Sequence, residues 1–77
     1  MDKAMIGRQM AFIAVAGLDS SYRCYTALYE VTSKHSLAEM IRTAEHVKNN
    51  WDHKYIGHAN KHVIGSLVHG LKQLEKA

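Results

Sequence analysis

Three features of this 77-residue chain predict an all-α fold. It has no proline; apolar residues recur three and four positions apart along most of its length; and helix-forming Ala, Leu, Met, Lys and Glu are spread throughout. The length fits a single helical domain over residues 1–77. At that size burial alone supplies only roughly 3–5 kcal/mol, so a further reinforcing device is expected. Cys24 is the single cysteine. An internal disulfide framework and a CxxC zinc site are therefore excluded, and self-association is the usual remaining device. The predicted architecture is an oligomeric helical bundle, a homodimer or higher.

The first element reads as one long helix over about residues 3–33, with 17–20 as the place for a kink. Ile6, Met10, Ile13, Gly17, Cys24, Leu28 and Val31 fall on one stripe at helical spacing, and Ala11, Ala14, Val15, Leu18, Tyr22, Tyr25 and Tyr29 on a neighbouring one. Asp19 precedes Arg23, and Glu30 precedes Lys34, by one helical turn, the favourable order for an acid and a base. "AGLDSS" is the break candidate, because Gly17 can end a helix and Asp19 or Ser20 can cap the next. The combined apolar arc is too wide for one neighbour, which again points to a subunit contact. Ile13, Tyr22, Tyr25 and Tyr29 are the residues expected to make it.

The second helix is expected over about 37–49, since Ser36 followed by Glu39 forms a capping box ahead of Leu37, Met40, Ile41, Ala44 and Val47. Asn49 and Asn50 end it. The third is expected over about 52–76, with Asp52 as its cap and Trp51 placed to close over Ile56. Its buried stripe is Ile56, Val63, Leu67, Leu71 and Leu74. Gly57, Gly65 and Gly70 each cost such a helix about 1 kcal/mol relative to alanine, so a packing reason is sought for them. Ala59, Ser66 and Gly70 share an edge that another backbone can approach.

Ten Lys and Arg against seven Asp and Glu give a formal charge of +3, and six histidines add further positive charge as pH falls. His58, His62 and His69 lie within about 40° of one another on the third helix, opposite its apolar stripe. Together with Lys54, Lys61 and Lys72 they form a candidate partner- or anion-binding face. His58 and His62, four apart, are weak candidates for a transition-metal pair through neutral imidazoles, with no neighbouring carboxylate on that helix to complete the set. No phosphate-binding loop, HExxH, GxSxG, GxGxxG, zinc finger or RNA-recognition signature is present, so neither a cofactor nor an enzymatic reaction is expected. Cys24, set among apolar residues, reads as a small buried hydrophobe.

The run "MAFIAVAGL" at 10–18 is too short to span a bilayer. With Lys3 and Arg8 ahead of it, it mimics a short signal peptide, yet its loss would strip the domain of much of its apolar surface. A cytoplasmic location without membrane contact is the expectation, and it suits a lone thiol.

"SSYRCYTALYEV" at 20–31 resembles the small helical metal-sensing repressors in placing a cysteine near the start of a helix. The histidine and second cysteine that complete their pattern are missing, so no ligand set carries over. In general build the chain is similar to accessory regulators or inhibitors encoded by phages and mobile elements. The expected function is thus a non-enzymatic, homo-oligomeric interaction module that acts on a protein partner through its basic, histidine-bearing face. The alternatives are binding of a nucleic acid or phosphorylated small molecule, and binding of a transition metal at His58 and His62.

Overall fold

The computed structural model describes residues 2–77, with the backbone alone for His53. Its elements are α1 (Lys3–Ala16), α2 (Arg23–Tyr29) continued by a 3-10 turn (Glu30–Ser33), α3 (Leu37–Asn50) and α4 (His53–Lys76). Among the described residues there is no strand, and no helix is long and apolar enough to cross a membrane.

Local capping sets most of the boundaries. The Asp2 carboxylate accepts the Ala4 N–H at 2.9 Å and starts α1. At α3 the Ser36 hydroxyl accepts the Glu39 N–H at 3.2 Å while donating to the Glu39 carboxylate, so the capping box closes through the hydroxyl. Asp52 accepts the Lys54 N–H at 3.0 Å and starts α4. The second and third helices thus fall where their caps place them, within a residue.

The single long helix over 3–33 is not what forms. The chain leaves the helix after Ala16, turns through residues 17–22, and re-enters at Arg23. The Asp19 carboxylate accepts both the Ser21 N–H at 3.0 Å and the Ser21 hydroxyl at 2.8 Å, a local turn that competes with helical bonding. Those bonds also hold the Asp19 carboxyl below its ordinary range. Asp19 therefore serves the turn, and Arg23 begins the next helix. At the far end of α2, the Thr32 hydroxyl donates to the Tyr29 carbonyl and that of Ser33 to the Glu30 carbonyl, both at 2.7 Å, tightening the last turn. Folding back brings Cys24, Leu28 and Val31 into the same core as α1, all three fully buried. Much of the over-wide apolar arc is thus covered within the chain.

A second break lies inside α4. Gly57 has φ 82° and ψ 159°, a backbone state essentially confined to glycine, so the helix kinks between Ile56 and His58. One side chain serves both breaks. Asn60, only 5% exposed, donates from Nδ2 to the Ile56 carbonyl at 2.7 Å, and its Oδ1 accepts the Asp19 N–H at 3.2 Å. Both ends of a buried amide are satisfied, and the 17–22 turn is fastened to α4.

Helix α4 runs antiparallel to both α1 and α3. Along α1, Lys3 donates to the Glu75 carbonyl at 3.5 Å at one end, and Gly17 approaches the Val63 side chain at the other. Along α3, Lys72 meets Glu45 and Lys61 reaches the Lys48 carbonyl. The core collects Ala11, Val15 and Leu18 with Leu28, Val31, Met40, Ile41, Ala44, Ile56, Ile64, Val68 and Leu71.

Helix α1 meets this core through small residues. Gly7, Ala11 and Val15 are buried, whereas Ile13, placed on the core stripe by spacing alone, is 75% exposed. The reason is close approach: a Cβ at Gly7 would lie 2.8 Å from the Met40 sulfur and 3.1 Å from a Leu37 methyl. Gly70 similarly receives the Met10 methyl, while Gly65 has open space around it. Gly7→Val is expected to lower unfolding free energy by about 1–3 kcal/mol through overpacking. Gly57→Ala should cost a similar amount, about 1–3 kcal/mol, through backbone strain with no clash. Urea unfolding of both variants measures the two effects.

Candidate interaction surface

The outward side of α1 is apolar. Met5 (49%), Phe12 (50%) and Ile13 (75%) are exposed there, the reverse of the usual arrangement in which large side chains face inward. Arg8 is the only charged residue between Lys3 and Ala16, and its guanidinium is turned away to donate to the Lys34 carbonyl at 3.1 Å. The face is consequently uncharged along its length. The Phe12 ring meets Tyr29 edge-on at 6.2 Å, and Tyr29 stacks on Tyr25 at 6.5 Å, so an aromatic shelf borders the helix on the α2 side.

On its other side α1 opens onto a groove of about 350 Å³ shared with α4. Met10, Ile13, Ala14 and Gly17 form one wall, and Val63 and Leu67 form the other with His62 and Ser66. The lining is mostly hydrocarbon with one imidazole and one hydroxyl. Such a trough suits an apolar side chain presented on a helix, and it holds no carboxylate or cation to orient a charged substrate.

The residues expected to make a self-contact are divided by the fold. Ile13 and Tyr29 stand out from the surface, Tyr22 is 37% exposed, and Tyr25 packs partly against the core. Met5 and Phe12 were not among them, although they belong to the same outward side. Their signal in the sequence is the run of small residues at Ala4, Gly7 and Ala11, which marks the inward stripe of a helix that packs closely and thereby assigns the large residues outward.

The expected partner face on α4 is thinner than its composition implies. Lys61 donates to the Lys48 carbonyl at 2.6 Å and the Trp51 carbonyl at 2.9 Å, capping the C-terminal end of α3. Lys72 pairs with Glu45 at 2.7 Å across the α3–α4 contact. His58, His62 and His69 are exposed, as is Lys54, whose ammonium lies 4.9 Å from the Tyr55 ring centre. His62 turns toward the groove. Among the described residues, no group of three His, Cys, Asp or Glu side chains comes together as a metal site.

The chain matches no family model, and no curated protein or solved structure is significantly similar to it.

Cys24 is fully buried, and loss of solvation raises its thiol above the ordinary value of 9.0. The folded protein should therefore react with a thiol reagent at pH 8 only as fast as it opens, and at the full rate of a free thiol in denaturant. Lys61→Met should lower stability by about 1 kcal/mol by stripping the α3 carbonyls of their donor. Thermal unfolding measures this loss, and a variant as stable as the parent would return Lys61 to the surface.

Proposed function

We propose that this protein is a non-enzymatic helical interaction module that associates with itself and regulates or blocks a second macromolecule. The observation that supports this reading most is the uncharged, apolar outward side of α1. Ile13 is three-quarters exposed beside an apolar groove in a protein otherwise small enough to need every buried methylene. Leaving an isoleucine in water forgoes roughly 1.5–3 kcal/mol of burial, a large share of the stability available at this size. An interface recovers that loss.

The proposal assigns two surfaces. Self-contact uses α1, through Ile13, Met5 and Phe12 with Tyr29 at the border. The second macromolecule meets the exposed side of α4, where Lys54 provides positive charge and the imidazoles of His58 and His69 are exposed. With Lys61 and Lys72 engaged by α3, that side is better matched to a modestly acidic protein surface than to a row of phosphates.

Sedimentation velocity over a wide concentration range tests the self-contact. The parent protein is expected to move from monomer to dimer or higher as concentration rises. Phe12→Asp and Ile13→Asp are expected to remain monomeric with unchanged helical circular dichroism. A parent protein that stays monomeric at every concentration would refute the reading.

A further inference from the structure

We infer that the groove between α1 and α4 is occupied by α1 of a second copy of this chain, with Ile13 of each copy seated in the groove of the other. This deepens the self-association proposed above and rests on it. Three observations select a second copy as the occupant.

The first is self-complementarity. A two-fold interface brings the same patch from both subunits together, so the patch must contain both a projection and the recess that receives it. Ile13 stands out at 75% exposure, and the recess adjoins it, walled by Ala14, Gly17 and Ser66, whose small side chains allow a second helix to approach. An antiparallel crossing of the two α1 helices near Ile13 sets each projection over the other's recess.

The second is charge. A chain of net charge +3 repels its own copy, and the repulsion is least where the contact carries no charge. Helix α1 meets that condition because Arg8 is drawn aside to the Lys34 carbonyl. An unrelated acidic or basic partner would find nothing on this face to recognise.

The third is area. Side chains of this size carry on the order of 150–250 Å² each, so the exposed halves of Met5, Phe12, Ile13 and Tyr29 present roughly 400 Å². Together with the groove walls this gives roughly 500 Å² per subunit, below the ~800 Å² of a standard stable interface and in the range of a small, reversible one. The face suits a dimer that forms and parts with concentration.

Cross-linking between two singly substituted populations tests the arrangement. Ile13→Cys and Ser66→Cys proteins are mixed, equilibrated and treated with a short bismaleimide; buried Cys24 serves as an internal unreactive thiol. Because each chain carries one new thiol, a mixed conjugate forms only between copies. The expected result is efficient Ile13→Cys to Ser66→Cys conjugation, at least tenfold above that of an Arg42→Cys control on the outward side of α3. Sedimentation of the same unconjugated samples separates the two levels of failure. Dimers without the mixed conjugate would overturn the groove-seated arrangement and leave self-association standing. Monomers throughout would overturn both.

Discussion

A single buried amide joins the turn that ends α1 to the kink inside α4. Asn60 satisfies the Ile56 carbonyl beside the Gly57 kink and accepts the Asp19 N–H from the turn that ends α1. The Asn60 amide gives a backbone group at each break a partner, and an unsatisfied buried group costs about 1–3 kcal/mol. Fastened to each other, the two breaks are mutually stabilising. Every later feature depends on that junction, because it fixes the direction of α1 against α4 and sends α2 back over the core.

Once α1 is held at that distance, its side chains sort by size. The inward stripe must be small, since even a Cβ at Gly7 would crowd Met40 and Leu71, so the larger residues are driven outward. The consequence is a helix that packs into its own domain through Gly7, Ala11 and Val15 while Phe12 and Ile13 stay largely in water. Close contact returns dispersion energy from many atom pairs, yet it does not replace the burial that Phe12 and Ile13 forgo. The same geometry that completes the core therefore leaves large apolar side chains of α1 exposed. The surface lysines divide by a related logic: flexible four-carbon stems on α4 reach across to the ends and edges of α3, and the shorter histidines stay outside.

The sequence discloses what is locally encoded. Helices α3 and α4 were legible because Ser36, Glu39 and Asp52 act within one turn of the boundaries they set. The end of α1 was half legible: "AGLDSS" marks a place where a turn can form, but the bond that fixes it comes from Asn60, 41 residues away. Nothing in the periodicity of residues 3–33 reports that partner. Gly57 likewise reads as a glycine in the middle of a helix, and nothing in the local sequence reports its positive φ. For the surface, residue types on one helical face were identifiable, whereas which long side chains fold inward depended on neighbours contributed by α3. Ile13 is exposed where its spacing alone puts it on the buried stripe, because two apolar stripes compete on α1 and only packing distance decides between them.

Native-state amide hydrogen exchange across residues 14–30 tests the junction most directly. The account predicts protection at Gly17 and Leu18 from the end of α1, and protection at Asp19 that depends on Asn60 and is lost selectively in Asn60→Ala. Continuous slow exchange from Ala14 through Tyr29, indifferent to Asn60→Ala, would mean a single uninterrupted helix and would contradict it.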